Sequence, residues 1–152
     1  MDRGLVQQRA SPYDIYHRPA NLFVAEFIGD PRINRLEGSF GAVDDQQGIQ
    51  FEGLWLALDR DPPAVNGSVI ATVRPEDVRL SKTEKQGWLK TRLDSVLPTG
   101  ADTVLQASSE HGNFTLLQPG FFEMSVDEFL WLSFESRSLN FFDAGSGRNL
   151  LP

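Results

Sequence analysis

From residue 36 onward the chain breaks into short apolar runs, each closed by Gly, Pro, Asn or Asp, and this rhythm restricts the fold more than any other feature. The runs are Leu36–Gly41, Gly48–Phe51, Gly53–Leu58, Ser68–Val73, Gly87–Leu97, Asp102–Ser108, Phe114–Leu117, Glu128–Phe134 and Leu139–Phe142. Between them stand Asp61-Pro62-Pro63, Asn66-Gly67, Arg74-Pro75-Glu76-Asp77, Pro98-Thr99-Gly100, His111-Gly112-Asn113 and Pro119-Gly120, all turn-forming combinations. Many short strands at this spacing call for a barrel or sandwich, because closure removes exposed edges. Leu54, Leu56 and Leu58 alternate with Trp55 and Ala57, which predicts a strand covered on both faces. The strands fall into two groups, before and after about Ser81, without a sequence repeat. The expected class is mainly β, a barrel or sandwich preceded by two short helices.

Two short helices are read from Ser11 to Gly29. Ser11 suits an N-cap, Pro12 the first helical position, and Asp14 completes an S-x-x-D capping box. Pro19 forces residue 18 out of the helical region and restarts a second helix, which Gly29 and Pro31 end. On that helix Phe23 lies one turn from Phe27, and Val24 one turn from Ile28. A small domain has difficulty burying so apolar a face alone.

Composition removes several classes of function. The chain has 152 residues, 40% hydrophobic and 23% charged, enough for a real core. It has no cysteine, so disulfides and cysteine-rich zinc sites are excluded, and a reducing compartment is a natural setting. Apolar runs such as Phe129–Phe134 fall far short of the ~20 residues that span a bilayer. The formal charge is -7, and between residues 101 and 147 the acids face Arg137 alone. Such a surface repels phosphate backbones, so no nucleic acid is expected as a partner.

Catalytic and metal-binding constellations are absent from the sequence. His17 and His111 stand in a helix break and a hairpin turn without ligand sets at metal spacing, and both are expected to face solvent. Asp44-Asp45 and Asp127-Glu128 read as turn formers rather than acid/base pairs. No G-x-x-x-x-G-K-[ST] run occurs, so this stretch offers no phosphate cradle, and Gly145-Ser146-Gly147-Arg148 is a turn. No catalytic, nucleotide-binding or metal-ligating residue is therefore named, no cofactor is expected in this stretch, and it is not expected to be an enzyme. The most promising polar cluster is Arg74, Pro75, Glu76 and Asp77, either an internal Arg–carboxylate staple or a regulatory contact. Trp55, Trp88 and Trp131, with Phe121, Phe122, Phe141 and Phe142, are more aromatic surface than alternation alone hides, and any residue left exposed marks a protein contact.

One family is written across these residues. Gly4, Val6, Gln8, Pro12, Asp14, Ile15, Tyr16, Pro19, Ala20, Phe23, Val24, Ala25, Phe27, Ile28, Gly29, Pro31, Ile33 and Asn34 fall in register with the junction of sugar-importer ABC ATPases of the maltose-importer type. Thr72 to Val78 is similar to that family's G-[IV]-R-P-E-[DH]-[ILV], with Thr72 for Gly. Leu139 to Asp143, with Gly147, Arg148 and Leu150, is similar to its closing L-H-L-F-D-x-x-T-G-x-x-L, with Asn140 for His and Ser146 for Thr. Ala10 replaces the usual Gly before Ser11.

The resemblance implies that residues 1–34 are the end of a nucleotide-binding domain with its helical connector, and residues 35–152 a regulatory TOBE domain of intertwined OB-like barrels. The opening Met1-Asp2-Arg3-Gly4 resembles an interior piece of such a parent, whose missing motor would bind ATP and Mg. The implied function is regulation and dimer tethering in the ATP-binding subunit of a bacterial importer for a sugar or related solute. Its partners are then a second copy, permease subunits reached through the ATPase domain, and an effector protein. The implied location is the cytoplasm, on the inner face of the membrane. Tyr16, Pro19, Phe23, Phe27 and Ile28 are the connector and interface candidates, with Phe23, Phe27 and Ile28 either packing on the barrel or driving dimerisation. The alternative is a small-ligand module for an oxyanion or sugar, which requires converging N–H groups and basic side chains.

Overall fold

A computed structural model describes residues 1–51, 54–65 and 67–151; Gly53 of the third expected run and Asn66 of the Asn66-Gly67 turn lie outside the described residues. Two short helices come first, α1 (Pro12–His17) and α2 (Leu22–Phe27). Ten strands follow among the described residues: β1 (Asn34–Val43), β2 (Gln46–Phe51), β3 (Leu54–Ala57), β4 (Val69–Val73), β5 (Val78–Ser81), β6 (Leu89–Pro98), β7 (Asp102–Ser109), β8 (Gly112–Pro119), β9 (Phe129–Phe134) and β10 (Asn140–Asp143). They form two antiparallel five-stranded sheets, ordered β10-β4-β1-β2-β3 and β5-β9-β6-β7-β8.

The capping box forms as expected. Ser11 Oγ accepts from the Asp14 amide at 3.1 Å, and its hydroxyl donates to the Asp14 carboxylate at 2.6 Å. The second helix differs from expectation. Pro19 does not restart it; Asn21 does, its side-chain oxygen accepting from the Val24 amide at 3.0 Å. Asn outranks most residues at an N-cap because its short side chain reaches the orphan amides.

The two sheets repeat one plan that the sequence does not display. Each has a ten-residue strand, β1 or β6, that changes partners halfway. β1 pairs with β4 from Asn34 to Gly38 and with β2 from Ser39 to Val43. At Gly38 a Cβ would sit 2.1 Å from the Gln50 carbonyl oxygen, so only glycine fits the bend. In β6 the change falls at Arg92, which pairs with both Phe129 and Ser108, and a register shift follows between Leu93 and Ser95. By position β1 corresponds to β6, β2 to β7, β3 to β8 and β4 to β9. The fifth strands are exchanged: β5 follows β4 yet pairs with β9, and β10 follows β9 yet pairs with β4.

Each exchange passes through a one-turn 3-10 segment, Pro75–Asp77 and Ser136–Ser138. The residues at matching places differ, and even the charges trade places: Arg74 answers to Glu135 and Glu76 to Arg137. β5 itself is a correction, since Val78–Ser81 was not among the expected strands.

One core lies between the sheets. Ile49, Val69, Leu93, Leu105, Phe114, Leu116, Leu130 and Phe141 are all within it and buried. Asn34, itself buried, adds a polar tie: it donates from Nδ2 to the Thr115 carbonyl at 2.8 Å and accepts from the Thr115 amide at 2.7 Å, so its amide group acts as a further peptide along the outer side of β8. β3, expected to be covered on both faces, is an edge strand whose four residues are all half-buried. Asp44 and Asp45, at φ 50° and 63°, form the two-residue loop between β1 and β2, as their turn-forming reading expects. Phe141 and Phe142 are fully buried, while the exposed aromatic surface of the barrel is at Phe121 and Phe129.

Candidate functional site

The connector helices and the two strand exchanges meet at one place. Helix ends leave their last carbonyls without intrahelical partners, and the negative end of the helix dipole favours a cation there. Arg74, immediately before the first 3-10 segment, supplies that cation to both helices at once. Its Nη2 donates to the Tyr16 carbonyl at 3.1 Å, at the end of α1. Its Nη1 donates to the Ala25 carbonyl at 3.3 Å and to that of Ile28, at the end of α2. The guanidinium lies over the Tyr16 ring, 4.1 Å from its centroid. Only 5% of Arg74 is exposed, and that burial draws its pKa below the ordinary arginine value.

The expected Arg–carboxylate staple is therefore corrected. Arg74 binds carbonyls 46 to 58 residues distant, not the carboxylates of its own turn. Glu76 instead accepts from the Tyr16 hydroxyl. Burial, then that hydrogen bond and the Glu76 charge, raise the Tyr16 pKa from 10.0 to about 12. Asp77 is raised by burial and next by Glu76. Pro75 is buried beneath the turn.

Gly29 makes the contact possible. A Cβ there would lie 2.9 Å from Arg74 Nη1, and its φ of 116° is one that side chains rarely adopt. The connector's other candidates divide. Pro19 is buried, and its carbonyl accepts from Asn149 Nδ2 at 2.6 Å. Ile28 is half-buried. Phe23 and Phe27 stack at 5.7 Å, but Phe27 is 71% exposed. The face that meets the barrel is instead Ala25, with Leu22 beside it, against Ile70 and Phe142. Thus the structure brings Tyr16 and Ile28 to Arg74, and leaves the Phe23–Phe27 pair turned elsewhere.

A cleft of about 680 Å³ opens beside this junction, between α1 and the two exchanges. Tyr16 of α1 and Arg74, Glu76 and Asp77 of the first exchange line it, together with Arg137, Ser138 and Asn140 of the second. Arg60, which sequence reading passed over, also lines it: its Nη2 donates to the carbonyls of Ser136 at 3.3 Å and Leu139 at 2.8 Å. Its only sequence signal is a basic residue inside an acidic, proline-rich loop. Of the histidines, His17 is exposed and lines the cleft, whereas His111 is half-buried rather than solvent-facing and lies 3.5 Å from Glu110. Among the described residues no three His, Asp or Glu side chains converge as metal ligands, and no helix is long and apolar enough to cross a membrane.

Residues 71–142 match the TOBE domain family. The sn-glycerol-3-phosphate import ATP-binding protein UgpC of Pectobacterium atrosepticum is 33% identical over 97% of the chain and 41% of its own length. The UgpC of Yersinia pestis is 34% identical over 100% and 42%, and the xylose/arabinose import ATP-binding protein XacK of Haloferax volcanii 30% over 97% and 39%. The chain thus spans about two fifths of the length of these curated relatives. The cytoplasmic molybdate-binding protein ModG superposes with a TM-score of 0.57 over 71% of this chain and 94% of ModG at 13% identity, a likeness of fold. The two exchanged OB-like sheets, the Arg74 turn inside the matched segment and these relatives agree: the chain carries a TOBE domain and corresponds to the C-terminal part of the ATP-binding subunits of sugar-type ABC importers.

Proposed function

We propose that this chain is the regulatory and dimer-tethering part of an import ATP-binding subunit, with residues 1–34 as the end of the nucleotide-binding domain and its helical connector and residues 35–152 as the regulatory domain. The observation that carries the reading is the double capping of α1 and α2 by Arg74. A side chain at the point of strand exchange fixes the direction in which the connector leaves the barrel. The β body is held by one core, so a displacement of the connector is transmitted to it as a rigid piece.

Motor domains that open and close with ATP and Mg need a link that survives the open state. A second copy of the same β body, held at high effective concentration, supplies one without catalysis. An effector protein that binds one arrangement better than the other then biases the cycle. The permease subunits are reached through the ATPase domain on the cytoplasmic face, and the cargo is a sugar or related solute.

The test is made in the full-length subunit. Arg74→Ala should uncouple ATP hydrolysis from transport while hydrolysis by the motor persists. Light scattering without nucleotide should still show dimers if tethering belongs to the β body. A monomeric nucleotide-free wild-type subunit refutes the tether, and unchanged coupling in Arg74→Ala refutes the role of the junction.

A further inference from the structure

Arg60 and Arg74 line the same cleft, and both show the same deficiency. Each guanidinium is held by carbonyl oxygens through its terminal nitrogens, and each has a buried Nε without a partner. Thr72 Oγ1 is the other such atom among the described residues, and Thr72 stands opposite Asn140, a cleft residue, in the β4–β10 register. Two arginines lining one cavity, each with a buried and unpaired Nε, are unusual, because native proteins pair such groups with protein, water or ion. Arg60 and Arg74 accept nothing, so any group that meets their guanidinium edges from the cleft must be an acceptor.

The rest of the lining selects the charge. Arg18 and Arg137 join Arg60 and Arg74, against the carboxylates of Glu76 and Asp77. Glu76 is engaged by the Tyr16 hydroxyl, and Arg137 Nε by Glu135 at 2.6 Å, which leaves the terminal nitrogens of Arg137 for the cleft. With Glu135 counted against Arg137, four guanidinium groups stand against three carboxylates, so the lining stays net positive in a chain whose formal charge is -7. The cavity, at about 680 Å³, has room for more than an inorganic anion. Its walls are more polar than apolar, and they supply the Ser138 hydroxyl and the Asn140 amide for hydroxyl groups.

We propose that this cleft is an effector site for a small organic phosphate, a phosphorylated polyol or sugar. Its dianion lies among Arg18, Arg60, Arg74 and Arg137, and its hydroxyls meet Ser138 and Asn140. Arginine suits this task because its planar fork meets two phosphate oxygens together. The proposal rests on the regulatory reading for its consequence. A ligand that bridges Arg74 and Arg137 touches the connector latch and both strand exchanges, so it stiffens the connector relative to the barrel.

The test is calorimetric titration of the whole chain with glycerol 3-phosphate and glucose 6-phosphate, with inorganic phosphate and free glucose as comparisons. One site per chain is expected for the phosphate esters, with inorganic phosphate weaker and glucose silent. Arg18→Gln with Arg137→Gln, two side chains on the cleft rim, should weaken binding roughly tenfold or more at an unchanged melting temperature, while Lys82→Ala, away from the cleft, leaves it intact. Hydrogen exchange in residues 12–28 should slow on binding. Absence of saturable binding at millimolar ligand, equal binding of inorganic phosphate, or insensitivity to the double substitution overturns the proposal. Binding without slowed exchange overturns its regulatory consequence. Since binding is read without a motor domain, its failure leaves the tether reading standing, and a failure of coupling in the full-length subunit leaves the anion site standing.

Discussion

Replacing Gly29 and Arg74 singly and together tests the junction most directly. Arg74→Ala removes one cation and three hydrogen bonds, and leaves the carbonyls of Tyr16, Ala25 and Ile28 short of a donor. With bonds to charged groups worth about 1.5–3 kcal/mol each and partial rescue by water, the expected cost is about 3–5 kcal/mol. For a chain of this size that lowers the melting temperature by roughly 2–4 °C per kcal/mol. Gly29→Ala has two separable costs. The backbone at φ 116° is unfavourable for alanine whatever surrounds it, by about 1–3 kcal/mol. The methyl would also stand 2.9 Å from Arg74 Nη1 and must displace the guanidinium from its carbonyls. That second cost exists only while Arg74 is present. The double variant should therefore be more stable than the sum of the singles predicts, by about 1–2 kcal/mol. Urea unfolding of all four proteins measures the difference. Strict additivity would falsify the idea that Gly29 is there to admit the arginine.

Other expectations follow from the same contacts. Asn34→Ala breaks both bonds to the Thr115 backbone and should cost about 2–4 kcal/mol in urea unfolding; a loss below about 0.5 kcal/mol refutes the tie between the sheets. Phe27→Ser, at an exposed site, should alter stability by less than about 0.5 kcal/mol, and if Phe27 serves self-association, light scattering shows a shift toward monomer. Because Tyr16 holds its proton more tightly in the folded chain, its contribution is complete below pH 10.0 and disappears as the pH rises through about 12. Tyr16→Phe should flatten that alkaline loss of stability, and an unchanged slope refutes the assignment. Asp143 behaves in the opposite sense: the Ser146 hydroxyl at 2.7 Å and amide at 2.6 Å hold its pKa below the ordinary value, so its contribution is present at neutral pH and falls away in acid. Asp143→Asn should reduce that acid sensitivity.

The features legible in the sequence are those whose causes are local. A capping box needs four consecutive residues, so Ser11-Pro12-Tyr13-Asp14 announces α1. Strand ends are marked by the turn residues that interrupt them, so nine of the ten strands are foreshadowed, each displaced by a few residues. β5 is hidden because nothing separates it from the Pro75–Asp77 turn except the backbone's own change of course. The strand exchange is invisible for a different reason: pairing partners are chosen by the closing of a common core, and no local signal records that choice. The site was half visible. Arg74 stood out by its setting beside proline and two acids, but its partners are carbonyls, and backbone atoms leave no trace in composition. Asn21 was overshadowed by Pro19, a louder punctuator two residues earlier. Phe23 and Phe27 share a face by period, yet periodicity identifies a face and not what lies opposite it.

The exchange of fifth strands also sets an order of events during synthesis. β4 is buried along its whole length, with β1 on one flank and β10 on the other. While residues 78–139 are being translated, the first sheet has an open hydrogen-bonding edge on its most buried strand. The second sheet, by contrast, has its fifth strand in hand before its other four emerge. The later half is thus able to settle first and offer its surface as a template, and the earlier half closes only when residues 140–143 leave the ribosome. Until then the nascent chain presents a ready site for wrong pairing, and a chaperone that shields an exposed strand edge would be most useful in that interval.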